Sequence, residues 1–186
     1  MNYKILQSLP GDEKIFKSIN TVVNDDESVT FPTEFFNSIN IPGMPQHLLR
    51  LKVGAQVVLM RNLEAPNLCN GTTLRIISIK DNVICAKVLT GAITGEEVLI
   101  PKISIMPQNV PVGFRRLQFP IRLSFAITIN RSQGQTLKIV GADLTIPCFL
   151  HGQFYVICSI ISDPNNFYIL SKDNKTKNIV YRSVCK

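Results

Sequence analysis

The chain has 186 residues, 45% of them hydrophobic, enough to bury the core of one ordinary domain or two small ones, which excludes disorder as its default state. Twenty Lys and Arg against 13 Asp and Glu give a formal charge of +7 and a pI near 9.3, a balance that favours polyanionic partners such as nucleic acid or nucleotide, the plain alternative being a solvated basic surface. No apolar run approaches the roughly 18 residues of a membrane span, and Met1–Pro10 lacks a sustained apolar stretch of the secretory kind, so an intracellular protein with no membrane partner is expected.

Along the chain, a Pro10-Gly11 turn is followed by charged and apolar residues, and Asn24-Asp25-Asp26-Glu27-Ser28 forms a polar acidic connector. Thr33-Glu34-Phe35-Phe36-Asn37 can cap and begin a short helix that Pro42-Gly43 and Pro45 end. Leu49–Val53 alternates, Gly54 breaks the run, and Gln56–Asn62 resumes it. Asn70-Gly71 and Asp81-Asn82 are turn signals, bounding strands over Thr72–Ile79 and Val83–Leu89, and Gly91–Gly95 returns the chain to a strand at Glu97–Ile100. Such a meander predicts a small antiparallel barrel, because a lone hairpin is marginal in water. It can be inserted into a larger domain through two nearby ends.

Pro107–Gly113 is turn-rich. Beyond it, apolar residues alternate from Ile121 to Ile129 as in a strand, yet Ile121, Phe125 and Ile129 also lie four apart as on a helix, and periodicity leaves both open. Leu137–Leu144 reads as a buried strand, His151–Ile161 as a helix after Pro147, and Asp163–Leu170 as a turn and a last strand. Basic residues are spread from Lys52 to Lys138, Arg115 and Arg116 among them, with a denser run from Lys172 to Lys186. The five cysteines form no CxxC pair, and only His47 and His151 could join them; reduced thiols and no metal site are expected. Three Asn-X-Ser/Thr tripeptides, at Asn70, Asn130 and Asn174, carry no meaning without secretion.

The segment with most chemistry is Thr128-Ile129-Asn130-Arg131-Ser132-Gln133-Gly134-Gln135-Thr136, where hydroxyls, amides and a guanidinium surround one glycine. These are short-range donors and acceptors, and Gly134 lets backbone approach a ligand closely. A phosphate or a nucleic-acid backbone suits them. A Ser/Gln-rich helix cap suits them equally.

The run from Ile127 to Thr136, ITINRSQGQT, closely resembles a late motif of the petite-integration-frequency (PIF-type) DNA helicases and their relatives in Helitron transposons. Phe31-Pro32-Thr33-Glu34-Phe35, LRLKVGAQVVLMRNL from Leu49 to Leu63, LCNGT from Leu68 to Thr72 and HGQFYV from His151 to Val156 occur in the same order as in that family, and Asn178–Tyr181 is similar to a tail of the transposon members. The resemblance covers most of the chain. It implies an α/β fold, a partial RecA-like second motor lobe interrupted by a small Src-homology-3-like antiparallel barrel, the 2B region.

On that basis residues 1–30 are a remnant of the motor lobe with its acidic connector, 31–112 the inserted 2B region, 113–170 the second lobe and 171–186 a basic tail. The resemblance implies single-stranded DNA contact by Thr128, Asn130, Arg131 and Ser132. It places Gln133, Gly134 and Gln135 nearer the nucleotide. It also implies a complete enzyme that uses ATP and Mg, moves 5'–3', pairs this lobe with an N-terminal motor lobe, and acts in nuclear repair, recombination, telomere maintenance or transposition.

Two departures bear on activity. No GxxxxGK[ST] sequence and no recognisable acidic Walker-B strand occur in these residues, so the chain alone is expected to bind no MgATP. The family's last motif reads approximately YVALSRV, with an arginine finger; here Tyr155-Val156-Ile157-Cys158-Ser159-Ile160-Ile161 puts Ile160 at that position. Loss of such a finger costs about a thousandfold or more in rate. The expected function is the C-terminal portion of a DNA helicase, inactive alone; the alternative is a degenerate transposon remnant that binds DNA or protein without catalysis. An RNA-binding barrel is disfavoured by the absence of Trp and of an aromatic ladder in the meander.

Overall fold

Asn70-Gly71 and Asp81-Asn82 do reverse the chain in the computed structural model, which describes residues 1–23, 32–107, 113–134, 136–172 and 175–181. Two of the expected loops, the acidic connector at 24–28 and most of the Pro107–Gly113 turn region, fall outside those residues. The chain divides into one unit at residues 1–126 and another at 127–186.

The first unit runs α1 (Asn2–Ser8), β1 (Lys14–Lys17), β2 (Ile19–Val22), α2 (Thr33–Ser38), β3 (Leu48–Leu51), β4 (Gln56–Leu59), β5 (Thr73–Ile79), β6 (Val83–Val88), β7 (Glu97–Pro101), β8 (Ile103–Ile105), β9 (Phe114–Gln118) and β10 (Ile121–Leu123). The predicted meander is β4 to β7, to which β10 adds a fifth strand in the order β10-β4-β5-β6-β7. Every pairing in it is antiparallel. Among the described residues no ladder joins the edge strands β10 and β7. Gly71 adopts φ +95°, a region open to glycine, and its N–H donates to the Leu59 carbonyl at 2.9 Å. The inward residues of the meander, including Val57, Leu59, Leu74, Ile76, Ile84, Ala86, Val88 and Ile100, merge with Leu6, Phe16, Leu49, Leu51, Phe119 and Ile121 into one core.

Two smaller ladders close the base of this unit: β1 with β3, and β2-β9-β8. Only Ser18 separates β1 from β2. Its N–H donates to the His47 carbonyl at 2.9 Å, and its hydroxyl lies 2.9 Å from His47 Nδ1. Just past residue 112, β9 pairs with β2 and β8.

Strand β9 carries two buried polar side chains. Phe114, Arg116 and Gln118 point inward while Arg115 and Leu117 face solvent, so Arg116 is no part of the basic surface its composition suggests. It is 0% exposed. Its Nε donates to Asn20 Oδ1 (2.9 Å), Nη1 to the carbonyls of Ile39 (3.2 Å) and Pro45 (3.0 Å), and Nη2 to that of Phe36 (2.6 Å). The Phe114 ring lies 5.7 Å away. Burial lowers its pKa, yet a guanidinium stays protonated at neutral pH. Gln118 Nε2 donates to the carbonyls of Phe16 (3.3 Å) and His47 (3.2 Å), and its Oε1 accepts from Phe119 N at 3.1 Å. One strand thus fixes the segment from α2 to β3.

The second unit is a βαβ arrangement. β11 (Val140–Leu144) and β12 (Phe167–Ser171) pair in parallel, joined through α4 (Gln153–Ser159) and a 3-10 turn at Pro164–Asn166. This is the strand, helix, turn and strand the sequence implies, and Ala142, Leu144, Cys148 and Ile157 form its core. No helix among the described residues is long and apolar enough to cross a membrane.

Two outcomes follow. Arg116→Met takes the guanidinium away from four acceptors, of which the Phe36 carbonyl keeps the Ile39 N–H, so urea denaturation should show a loss of about 3 kcal/mol or more; a loss under about 1 kcal/mol contradicts the role given to it. Burial, followed by the charges of Arg116 and Lys17, lowers the pKa of His47 below its ordinary value. The unfolded chain then binds that proton more readily, so stability should fall as pH drops from about 6.5 through the lowered folded-state value. Melting curves between about pH 7.5 and 5.5 should show a shallower decline in His47→Asn.

Candidate nucleic-acid interface

The run Ile121–Ile129, which fits strand and helix alike, divides between them. β10 takes Ile121–Leu123, and α3 (Ile129–Ser132) is a single helical turn that starts at Ile129. Thr128 is extended (φ −73°, ψ 151°), and its carbonyl accepts from the N–H groups of Arg131 (2.9 Å) and Ser132 (3.2 Å). Ile129 packs against the core of the second unit, which leaves Thr128, Asn130 and Arg131 exposed. Gln133 and Gly134 are exposed beyond them, with Gly134 at φ +79°. A Cβ there would meet nothing within 4 Å, so the glycine answers to its backbone conformation alone. Gln135 lies outside the described residues.

Ser132 differs from its neighbours. It is 2% exposed, and its hydroxyl donates to the Ile129 carbonyl at 2.6 Å. In this conformation it closes the turn and presents nothing to a ligand.

After the turn the chain is fastened to the end of α4. Leu137 N donates to the Ile160 carbonyl at 2.7 Å and its carbonyl accepts from Ser162 N at 3.1 Å, with Leu137 bridging Ile161 in parallel. Ile160, at the expected finger position, is 5% exposed and lies at the C-terminal cap of α4. Its side chain is both apolar and turned away from solvent.

At the other end of α4, Gln153 Oε1 accepts from the N–H groups of Phe149 (3.1 Å) and Leu150 (3.4 Å), which ties the preceding loop to the first residue of the helix. The tail returns here. Gly152 N donates to the Ile179 carbonyl at 3.2 Å, Tyr181 N donates to His151 Nδ1 at 2.9 Å, and the His151 and Tyr181 rings stack with centroids 5.3 Å apart. Two segments singled out separately in the sequence, HGQFYV and Asn178–Tyr181, are therefore neighbours.

No Asp or Glu occurs between Glu97 and Asp143, while Lys102, Arg115, Arg116, Arg122, Arg131 and Lys138 do. The exposed turn Thr128–Gly134 therefore has donors, a cation and open backbone, with no acid in its own segment to repel a phosphate. The same absence leaves no carboxylate there for a magnesium ion. With no phosphate-loop sequence and an inward Ile160, these residues do not fit a magnesium-bound triphosphate by themselves.

A family model described as the 2B domain of DNA helicase Pif1 matches residues 34–79. The ATP-dependent DNA helicase PIF6 of Trypanosoma brucei brucei is 36% identical over 150 residues, 72% of this chain and 18% of that protein. The ATP-dependent DNA helicase PIF1 of Xenopus laevis is 28% identical over 178 residues, 94% of this chain and 26% of that protein. The chain thus spans about a fifth to a quarter of these relatives. In structure it is similar to Pif1 helicase from Candida albicans, with a TM-score of 0.72 and 25% identity over 99% of this chain and 45% of that one. The Bacteroides Pif1 helicase in complex with ADP-AlF3 and ssDNA shares the fold, with a TM-score of 0.70 and 21% identity over 99% of this chain and 40% of that one.

Ser132→Ala should lower stability by about 1 kcal/mol through loss of the turn-closing bond, and Gly134→Ala by about as much through its positive φ. Exposed Asn130→Ala should change it by less than about 0.5 kcal/mol. Chemical denaturation separates the three; equal losses would remove the distinction between turn-forming and ligand-facing residues.

Proposed function

This chain belongs to the Pif1 family of DNA helicases, and we propose that it supplies the second motor lobe and the 2B region of an ATP-dependent enzyme of that kind. Residues 31–112 are assigned to the 2B region and 113–170 to the second lobe, with a motor-lobe remnant and connector at 1–30 and a basic tail at 171–186. The observation that carries the reading is the exposed polar turn at Thr128–Gly134, held on a βαβ unit by Ile129 and Leu137. Thr128, Asn130 and Arg131 are assigned to the backbone of single-stranded DNA, and Ser132 to shaping the turn that positions them. Gln133 and Gly134, with Gln135, are assigned to the nucleotide side, where ATP and Mg would be held by groups beyond these residues.

An N-terminal motor lobe is the partner this reading requires. Ile146, Phe149, Tyr155, Tyr168 and Leu170 of the second unit are 61–80% exposed, apolar side chains that such a lobe would cover. Relatives whose chains are several times longer have further structure to cover them. The family resemblance further suggests 5'–3' movement and a place, nuclear in a eukaryotic cell, in repair, recombination, telomere maintenance or transposition.

A second reading rests on Ile160. Its inward, apolar side chain cannot stabilise charge on a transferring phosphate, which favours a non-catalytic DNA-binding or protein-interaction module descended from a transposon helicase.

The two are separated by single-strand-stimulated ATP hydrolysis measured on this chain, on its fusion to an intact first lobe of the family, and on the fusion carrying Ile160→Arg. Expected are no hydrolysis by the chain, slow hydrolysis by the fusion, and a rise of about a thousandfold or more with Ile160→Arg. Hydrolysis by the original fusion at the Ile160→Arg rate contradicts the part given to Ile160. In fluorescence anisotropy the chain should bind oligothymidylate weakly and lose affinity as salt rises, with a smaller salt slope in Arg131→Ala. Absence of binding at low salt removes the stand-alone DNA role.

A further inference from the structure

An open cleft of about 330 Å³ lies in the first unit, its walls including Tyr3 of α1, Asn37 of α2, Asn40, Gln46, His47 and Arg50 of β3. That volume is at the small end of the range for ligand sites, about 300–1,000 Å³. No carboxylate lines it.

The hydrogen-bond polarity of its walls is set from below. Arg116 can only donate, so Asn20 must accept through Oδ1, at 2.9 Å. Asn20 then donates through Nδ2 to Asn37 Oδ1 at 2.7 Å. With its oxygen engaged, Asn37 has its Nδ2 donors to offer. Gln46 is set in the same way, its Oε1 accepting from the Tyr3 hydroxyl at 2.7 Å. His47 uses Nδ1 toward Ser18 at 2.9 Å, so Nε2 is the ring atom left for the cleft. Arg50 gives one contact to Glu13 at 3.1 Å and has further N–H groups in its five-donor fork. Asn37 and Gln46 thus have their side-chain oxygens engaged and N–H groups to offer, beside the fork of Arg50. Arg116 and Lys17 add positive potential, which is felt at His47.

We propose that this cleft is a phosphate-binding subsite for one nucleotide of a single DNA strand, with Asn37, Asn40 and Arg50 donating to the phosphate, the His47 ring beside it and the Tyr3 ring offering a face to the attached base. A wall with amide donors and a guanidinium suits a phosphodiester, and the Tyr3 ring, 41% exposed, suits a sequence-tolerant stack. The inference rests on the reading of the chain as a single-strand binder and adds a contact in the first unit to the turn at Thr128–Gly134.

The test is a titration of the full chain at low salt with oligothymidylate of eight nucleotides, thymidine 5'-monophosphate and inorganic phosphate, following the His47 ring resonances by NMR. Asn37→Asp keeps the acceptor for Asn20 but replaces the donor with a negative charge, and Arg50→Gln removes the guanidinium at an exposed site. Expected are a saturable His47 shift with the oligonucleotide, much weaker saturation by the two small anions, and about tenfold lower oligonucleotide affinity in each variant, with melting temperatures near that of the parent.

Oligonucleotide binding with an unmoved His47 and parental affinity in Asn37→Asp overturns the subsite. If Asn130→Ala then weakens binding, the reading of the Thr128–Gly134 turn stands without it. Weakening by Asn37→Asp but not by Asn130→Ala supports the cleft and overturns the turn. Saturation by inorganic phosphate or the mononucleotide as tight as by the oligonucleotide overturns the assignment to a strand. No binding of any probe overturns both.

Discussion

A single buried guanidinium organises the base of the first unit. Among the described residues Arg116 has no carboxylate partner; it is solvated by three carbonyls and one amide oxygen drawn from β2, α2 and the loop that leads to β3. Removing such a charge from water costs several kcal/mol unless its donors are met. The segment from Phe36 to Pro45 must therefore stay where its carbonyls can reach. Gln118, two residues on and on the same face of β9, holds the backbone of Phe16 and His47 in the same manner. The meander of β4 to β7 begins just beyond the segment held by these two side chains, and the orientation of the Asn37 amide at the adjacent cleft follows from the fact that arginine cannot accept.

Much of this architecture is legible in the sequence where its causes are local. Asn70-Gly71 and Asp81-Asn82 set turns by backbone preference, and alternation set the buried face of each strand between them. The strand, helix and strand of the second unit were likewise written in their own residues. What local pattern could not give was partnership. Arg116 reads as one more basic residue, because its burial depends on β2 and α2, which lie about eighty to a hundred residues away in sequence. Strands β1, β2, β8 and β9 are three to five residues long, too short for periodicity, and are held by distant pairings. Ile121–Ile129 was ambiguous because it is neither element throughout.

The candidate interface was legible as a motif, and its geometry was not. Residue type made Thr128, Asn130, Arg131 and Ser132 equivalent; the single turn of α3 separates them, turning Ser132 inward while its neighbours face solvent. Ile160 was visible as a departure from the family's pattern, and its burial adds that the position is built into the second unit as a packing residue. Nothing in the sequence marked the cleft, since Tyr3, Asn37 and Arg50 come from three separate elements. The resulting molecule has the fold of its Pif1 neighbours, with an exposed polar turn at Thr128–Gly134 and a buried apolar side chain at Ile160.

The central claim, that the turn at Thr128–Gly134 is a face for single-stranded DNA, is met most directly by hydrogen–deuterium exchange of the chain with and without saturating oligothymidylate. Slower exchange in peptides spanning Thr128–Gly134, with the β4–β7 meander unchanged, is the expected result. Saturated binding that leaves exchange in that turn as fast as in the free chain would contradict it.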